Sequence, residues 1–101
     1  MHGPNVRFEW DHAKAESNRR KHGVSFELAT LVFDDVFAII EQDRIEGGEL
    51  RWQAIGMIPG ALVLVVAFVD RDHDDIEVIR IISARAAEPR ERRRYEQDRH
   101  L

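Results

Sequence analysis

The sequence predicts a layered α+β domain, and three observations indicate this class. Two capped helical segments come early, four β-rich runs follow at short spacing, and a charged helix closes the chain. The turn signals between the β-rich runs leave no room for crossover helices, which favours antiparallel strands. We therefore expect one domain over residues 1–101, with the order β-α-α-β-β-β-β-α. In it, an N-terminal helical hairpin and a C-terminal helix pack on a four-stranded antiparallel sheet.

The N-terminal part of the chain predicts a short strand and the first helix of the hairpin. Residues 6–10 suit a strand, Asp11 can cap the helix that follows, and Gly23 can end it. This helix has almost no apolar stripe. We therefore expect it to pack through small residues such as Ala13 and Ser17.

A second helix and a series of strands come next. Ser25 is typical of a helix N-cap, and the apolar side of this helix ends before residues 34–35. The run from Ala61 to Val69 is apolar throughout, which indicates a central strand covered on both faces. The last helix should begin near Glu88 and Pro89, since proline is tolerated in a first turn. The expected strands are residues 36–43, 49–57, 61–70 and 76–84.

Charge is unevenly distributed along the chain. The formal net charge of -4 counts against nucleic-acid binding, yet 13 of the 15 basic residues are arginine, which is well suited to phosphate. Acidic residues cluster at 70–77, whereas residues 79–101 hold seven arginines and four acids. The basic positions are thus concentrated in the last strand and helix.

The sequence has no feature of a secreted or membrane protein. It lacks cysteine, which excludes disulfides and thiolate chemistry and suits a reducing cytosol. The first ten residues have no apolar core of a signal peptide. The longest apolar stretch, residues 61–69, is far shorter than the ~20 residues of a bilayer helix. We expect a soluble, cytoplasmic protein that does not enter the membrane.

Lys21 and His22 place a cation and a side chain that titrates near neutrality at the end of the first helix. Helical spacing puts them on one side with Lys14 and Asn18. They can serve acid–base chemistry or phosphate binding. Alternatively, they only complement the helix dipole ahead of Gly23.

Arg80 is anomalous because it lies on a strand face between the apolar residues Val78 and Ile82. Two interpretations stay open at this point. The arginine either points into a partly open surface or forms a structural salt bridge, for which Glu49 and Glu77 are the candidate partners.

Other arginines could also contact phosphate. Arg85 lies beside Ser83 near the end of the last strand, and Arg51 lies on the polar face of a neighbouring strand. Acids alternate with the arginines of the last helix, which favours a solvated, salt-bridged face over a phosphate-binding ridge. Those arginines are Arg90, Arg92, Arg93, Arg94 and Arg99.

No metal site is indicated. Asp70, Asp72 and Asp74 match the first three ligands of a calcium loop, but its sixth position is Asp75 instead of glycine and its twelfth is Ile81 instead of glutamate. Zinc is equally unsupported, because no paired ligand spacing occurs among His2, His12, His73 and His100. A Gly-rich phosphate loop and a nucleophile elbow are also missing. We expect no metal and no cofactor.

Two segments resemble the BrnT toxin family, and the resemblance spans nearly the whole chain. They are FEWDHAKAESNRRKHGVSFELATLVFDD at residues 8–35 and IRIISARAAEPRERRRYE at residues 79–96. The resemblance implies a RelE-like fold and a metal-independent endoribonuclease of a type II toxin–antitoxin pair. It also implies a partner, the antitoxin BrnA, which is small and has a ribbon-helix-helix DNA-binding part.

The resemblance further implies roles for individual residues. The expected reaction is attack of a ribose 2′-hydroxyl on its own phosphate, which requires a base, an acid and cations. By residue match, Arg80 and Arg85 bind the scissile phosphate, while Lys21 and His22 are candidates for proton transfer. The expected substrate-binding residues are Arg51, Arg92 and Tyr95.

The chain departs from the family pattern at two places. Ala86 stands where a second arginine is common, which lowers the local positive charge, and Glu88 with Pro89 replaces the usual hydroxyl cap of the last helix. An alternative therefore stays open: a non-catalytic binding module, or a degenerate toxin, that acts as co-repressor with its antitoxin.

Overall fold

The computed structural model describes residues 6–72 and 74–99, and within them it shows five strands and three α-helices. The strands are β1 (Val6–Glu9), β2 (Ile39–Glu46), β3 (Glu49–Ile58), β4 (Leu62–Asp70) and β5 (Glu77–Ala86). The helices are α1 (His12–His22), α2 (Phe26–Ala29), which continues as the 3-10 helix Thr30–Asp34, and α3 (Pro89–Arg99). His2, His73 and His100 lie outside the described residues.

The sheet is mixed and five-stranded, in the order β1-β5-β4-β3-β2. The prediction of an antiparallel meander is confirmed for β2 to β5. The prediction of a wholly antiparallel, four-stranded sheet is wrong, because β1 pairs with β5 in parallel, from Val6 opposite Glu77 to Glu9 opposite Arg80. The helices between β1 and β2 carry the chain from one edge of the sheet to the other. Turn signals between consecutive strands cannot reveal that pairing.

The predicted ends of the first two helices are confirmed by capping contacts. The carboxylate of Asp11 accepts the Lys14 N–H at 2.9 Å, and Gly23 ends α1 with a left-handed φ of 72°. The hydroxyl of Ser25 accepts the Leu28 N–H at 3.0 Å. The second arm of the hairpin is shorter than predicted, because α2 has only 4 residues before the chain tightens into a 3-10 helix.

The helices cover the two faces of the sheet unequally. One face packs against α1, α2 and the 3-10 helix, and β4 is buried along most of its length, as predicted for the central strand. The other face has a smaller core under α3, formed by Tyr95, Ile55, Val63 and Val65. Since α3 covers only the end of the sheet where these residues lie, the remainder of this face is open.

Asn18 is the buried polar residue through which α1 contacts the sheet. Its amide nitrogen donates to the carbonyl oxygens of Val24 at 3.1 Å and Ala84 at 2.8 Å, and its oxygen accepts the Ala84 N–H at 3.1 Å. The short β1 leaves this part of the β5 edge unpaired, and Asn18 takes the place of the missing strand. The expectation that Ala13 and Ser17 make the contact is wrong, since both are exposed.

A bulge in β5 determines which of its side chains share a face. Ala67 of β4 lies opposite Ser83 and Phe68 lies opposite Ile81, so Ile82 is the extra residue. Without a bulge, residues 80 and 85 would point to opposite faces. With it, Arg80 and Arg85 point to the same face, which is the one that carries α3.

Candidate functional site

Three rows of residues cross the sheet face that α3 only partly covers. From the open end towards α3, they are Glu9-Arg80-Val69 with Arg51-Arg44 on the far side of β4, then Ser83-Ala67-Gln53-Glu41, and then Arg85-Val65-Ile55-Ile39. The first row is mostly charged, the second is small or polar, and the third is apolar except for its arginine. We call the surface formed by Arg51, Ala67, Arg80, Ser83 and Arg85 the open face.

The open face has a floor of small side chains between arginines. Ser83 and Ala67 are partly exposed, with Arg80 and Arg51 on one side and Arg85 on the other. Strand spacing puts the Cα atoms of Arg80 and Arg51 about 10 Å apart across β4, and successive rows about 7 Å apart. Guanidinium groups on such stems can reach an anion over the floor from both sides. The arrangement suits a phosphate group of an extended ligand.

Arg80 is paired, and its partner differs from those expected. Its Nη1 contacts the Glu9 carboxylate at 2.8 Å, and the side chain remains 29% exposed. Glu49, one of the predicted partners, instead binds Arg71 at 2.7 Å. Arg71 also lies 4.0 Å from Glu9, so an ion-pair chain runs along this end of the sheet. Both interpretations of Arg80 therefore apply, because the arginine forms a salt bridge and also lies in a partly open surface.

Arg51 lies on the same face and is more buried, with a side chain only 17% exposed. Its Nη2 contacts Glu46 at 3.3 Å, and Arg44 approaches the same carboxylate at 3.2 Å. Its Nε is buried without a hydrogen-bond partner among the described residues. Arg51 and Arg80 therefore lean towards opposite edges of the sheet, each to its own glutamate, with the buried Val69 of β4 between them.

Arg85 is held by α3. Its Nη1 and Nη2 donate to the two carboxylate oxygens of Glu91 at 2.7 and 2.9 Å, and the Arg85 side chain is 34% exposed. The hydrogen bonds from Arg85 lower the pKa of Glu91 despite its partial burial, and those to Glu91 raise the pKa of Arg85. Both groups stay charged at neutral pH.

Lys21 and His22 are the last two residues of α1. Ala15 of α1 packs on the core of the other sheet face, and Asn18 bonds to the backbone of Ala84 at the edge of β5. The side chains of Lys21 and His22 are exposed, and neither has a hydrogen bond or ion pair within residues 6–72 and 74–99. The helix that carries the two proton-transfer candidates is therefore anchored at the edge of β5, beside Arg85.

Tyr95 is buried, contrary to its expected role as a substrate-binding residue. It is 1% exposed, and its hydroxyl donates to Asp35 at 2.5 Å, which ties α3 to the end of the 3-10 helix. Burial and this hydrogen bond raise the pKa of Tyr95 to about 12. Burial also acts to raise the pKa of Asp35, but hydrogen bonds from Met57, Tyr95 and Phe37 outweigh it and hold that pKa below its ordinary value.

The remaining basic side chains of α3 point largely to solvent. Arg92, the third predicted substrate-binding residue, is exposed, and its side chain has no hydrogen bond or ion pair within the described ranges. Arg94 forms a bidentate pair with Glu41 of β2, at 2.9 and 2.5 Å. Arg99 lies over the ring of Phe37, 5.4 Å from its centroid.

Three carboxylates approach one another at the far end of β4 and β5. Ligand atoms of Asp70, Asp72 and Glu77 lie within 4.8 Å of each other, and the first two residues are exposed. Asp70 and Glu77 also have interactions with other groups.

In the described part of the chain, no helix is long and apolar enough to span a membrane.

Sequence reasoning missed the carboxylates that hold the arginines. Glu9 and Glu91 are distant from each other along the chain, and only tertiary structure brings both to the open face. Glu91 had a local signal: it is the third residue of a helix that begins with Pro89, where a glutamate commonly bonds back to the cap. No local sequence signal marked the role of Asp35, since its partner Tyr95 comes from the far end of the chain.

The fold is that of an α+β protein whose mixed sheet has Arg51, Arg80 and Arg85 on one face. A family model described as "Ribonuclease toxin, BrnT, of type II toxin-antitoxin system" matches residues 10–91. The chain therefore belongs to the BrnT family of ribonuclease toxins.

A solved structure agrees with this assignment. The 1.1 Å crystal structure of the Brucella abortus ribonuclease toxin BrnT is 28% identical in sequence and superposes with a TM-score of 0.63. The match covers 82% of this chain and 97% of the Brucella chain. No curated protein sequence matches the chain significantly.

Proposed function

We propose that the protein is a metal-independent endoribonuclease that binds RNA across its open face. The observation that supports this most is that Arg51, Arg80 and Arg85 all lie on one face of the sheet, around the floor of Ser83 and Ala67. Three guanidinium groups at such a site can neutralise a phosphate and the additional charge that develops on it in the transition state. Membership in a family of ribonuclease toxins supports RNA as the bearer of that phosphate.

The proposed reaction is transesterification. A base removes the proton from a ribose 2′-hydroxyl, the 2′-oxygen forms a bond to the adjacent phosphorus, and the bond to the 5′-oxygen of the next nucleotide breaks. An acid protonates that leaving oxygen, so the products are a 2′,3′-cyclic phosphate and a 5′-hydroxyl. In this proposal Arg80 and Arg85 bind the non-bridging oxygens, and Arg51 supplies a third positive charge.

Lys21 and His22 are our candidates for proton transfer, and family resemblance alone supports them. The helix that carries them is bonded through Asn18 to the edge of β5 at Ala84, the residue before Arg85. The pH dependence of cleavage by Lys21→Ala and His22→Ala tests each residue separately. A variant that cleaves at the wild-type rate across the whole pH range removes its residue from the mechanism.

The deciding experiment is incubation of the purified protein with RNA in EDTA. We expect fragments that end in cyclic or 3′ phosphate, and we expect cleavage to be reduced at least 100-fold in Arg80→Ala, since a lost phosphate contact in the transition state costs about 3 kcal/mol. Arg93→Ala, which removes an exposed arginine with no proposed role, is the control and should cleave at the wild-type rate. No cleavage at protein concentrations that bind RNA would overturn the proposal.

We also propose inhibition by a BrnA-like antitoxin with a ribbon-helix-helix part. Type II systems pair a toxin with a protein antitoxin, and the proposed action on RNA supports a cytoplasmic location for the pair. Co-expression with the product of the adjacent reading frame should yield a complex in which RNA cleavage is suppressed. Cleavage at an undiminished rate in a stable complex would contradict inhibition.

One observation favours the second candidate function, a degenerate toxin that acts as co-repressor with its antitoxin. Arg51, Arg80 and Arg85 are each paired with a glutamate, and Ala86 stands where a further arginine is common. In that case the protein binds its partner and the complex binds DNA, but the RNA assay in EDTA shows no fragments.

A further inference from the structure

We propose that Glu91 is a positioning residue for RNA cleavage. Glu91 holds the guanidinium of Arg85 in an orientation in which one pair of Arg85 N–H donors is free to face the phosphate. The inference rests on the proposed function and extends it to a residue that does not itself contact RNA. It follows from the donors that Glu91 occupies on Arg85 and from the way in which Glu91 is itself held.

The contact with Glu91 uses only one donor pair of Arg85. A guanidinium offers an end pair, formed by Nη1 and Nη2, and a side pair, formed by Nε and Nη2. The carboxylate oxygens accept from Nη1 at 2.7 Å and from Nη2 at 2.9 Å, which occupies the end pair. The other proton of Nη1 points to the carbonyl of Ala86, with a separation of 3.4 Å.

The side pair of Arg85 is left for a ligand. Within the described residues, its Nε and the second proton of Nη2 have no acceptor, and the side chain is 34% exposed. The side pair has the geometry for bidentate binding of two phosphate oxygens. Arg85 can therefore bind phosphate while Glu91 stays bound to it.

Glu91 is anchored independently of Arg85. One of its oxygens accepts the backbone N–H of Glu88 at 2.9 Å, the contact by which the third residue of a helix bonds back to the cap. Pro89, the first residue of α3, fixes the start of that helix. Glu91 is mostly buried, with 21% of its side chain exposed. The Glu91 carboxylate thus has a fixed position, and its hydrogen bonds fix the position of the Arg85 guanidinium in turn.

Positioning of this kind affects the chemical step more than it affects binding. A long arginine side chain that has lost its anchor still attracts RNA, but it adopts many orientations, of which few direct the side pair at the transition state. Removal of the Glu91 charge also leaves the open face more positive, so substrate binding should not weaken. We therefore expect kcat to fall about 10- to 100-fold in Glu91→Gln with KM changed less than threefold.

The structure offers a matched control on the same helix. Glu41 and Arg94 form a bidentate pair of the same geometry, between β2 and α3, on the same sheet face but two strands away from Ala67. Glu41→Gln removes one carboxylate charge, as Glu91→Gln does, and should leave kcat unchanged. Glutamine at 91 can still accept the Glu88 N–H, so the start of α3 is preserved. Thermal melting of both variants measures any loss of folded protein.

The experiment is a double-mutant cycle of Glu91→Gln and Arg85→Ala, measured as single-turnover cleavage of RNA in EDTA. Because Glu91 acts through Arg85, we expect Glu91→Gln to cause no further loss once Arg85 is alanine. Should Glu91→Gln melt below the assay temperature, Glu91→Asp takes its place. Aspartate keeps the charge at the helix start but is too short to hold both guanidinium nitrogens, so the same loss of kcat is expected.

Two results would overturn the inference while leaving the proposed function intact. One is cleavage by Glu91→Gln at the rate of Glu41→Gln. The other is an equal fold-loss from Glu91→Gln in the wild-type and Arg85→Ala backgrounds, which would show that Glu91 acts elsewhere. If the wild-type protein does not cleave RNA, the proposed function fails and this inference fails with it.

Discussion

Replacement of Asn18 by alanine tests how the uncovered edge of β5 is stabilised. The side chain is 8% exposed and makes three hydrogen bonds to backbone groups of Val24 and Ala84. Alanine at position 18 leaves one N–H and two carbonyl groups without these partners. The loss lies between α1 and the sheet, where the apolar contribution of the helix is small because most of its residues are exposed.

The expected loss is a large part of the stability of the fold. An unsatisfied buried backbone group costs about 1–3 kcal/mol, and partial hydration of the new cavity reduces the sum for three groups to about 3 kcal/mol. A chain of this size has a free energy of unfolding of about 5–15 kcal/mol. We therefore expect the melting temperature to fall by roughly 12–24 °C, since 1 kcal/mol corresponds to roughly 4–8 °C in a domain of this length.

Urea and thermal unfolding, followed by circular dichroism, measure this loss. Ser17→Ala, an exposed neighbour on the same helix, is the control and should change the free energy of unfolding by less than about 0.5 kcal/mol. Asn18→Asp keeps an acceptor for the Ala84 N–H but places a negative charge against two carbonyls, so it should be at least as unstable as Asn18→Ala. An Asn18→Ala protein within about 1 kcal/mol of the wild type would refute the reasoning.

Three further predictions concern the packing around α3 and the 3-10 helix. Tyr95→Phe should lower the free energy of unfolding by about 1 kcal/mol near neutral pH, because it removes the hydrogen bond to Asp35. The Tyr95 pKa is raised to about 12, so this contribution is fully present below the pKa of an unfolded tyrosine, near 10, and is lost as pH rises through about 12. Absorbance at 295 nm follows the titration, and a midpoint near 10 in the folded protein would contradict it. The pKa of Asp35 is lowered, so its stabilisation is present above the unfolded pKa of 3.8 and is lost as pH falls through the lower folded value. The free energy of unfolding should therefore decrease less steeply with falling pH in Asp35→Asn than in the wild type. An equal slope in the two proteins would count against this. Gly56→Ala should destabilise by about 1–3 kcal/mol, because its Cβ would lie 2.8 Å from Val32 Cγ1 and 3.2 Å from Ala38 Cβ. A denaturation midpoint equal to that of the wild type would show that the 3-10 helix can move away at no cost.

The local structure of the chain could be predicted because short-range physics determines it. Asp11, Gly23 and Ser25 mark helix ends by hydrogen bonds or backbone freedom within a few residues, and the structure shows each in that role. The unbroken apolar run of β4 predicts a strand buried on both faces, as is found. β2 begins later than predicted, at Ile39, because the Asp35 carboxylate binds the Phe37 N–H in a turn.

Long-range pairing decided what the sequence alone left open. The parallel pairing of β1 with β5 brings Glu9 to Arg80, although 71 positions separate them in the chain. The bulge at Ile82 turns Arg85 to the same face as Arg80, which strict alternation in an unbroken strand would forbid.

The sequence by itself determined the family, the order of the elements and the arginine-rich character of the last strand, since these depend on residue identity and local periodicity. Only the tertiary structure decided that α1 is bonded to the edge of β5 beside Arg85, that Tyr95 is buried, and that Glu91 holds Arg85. The physical reason is that each of these depends on which part of the sheet a helix packs against. That choice follows from the packing of the whole chain, and no local pattern records it.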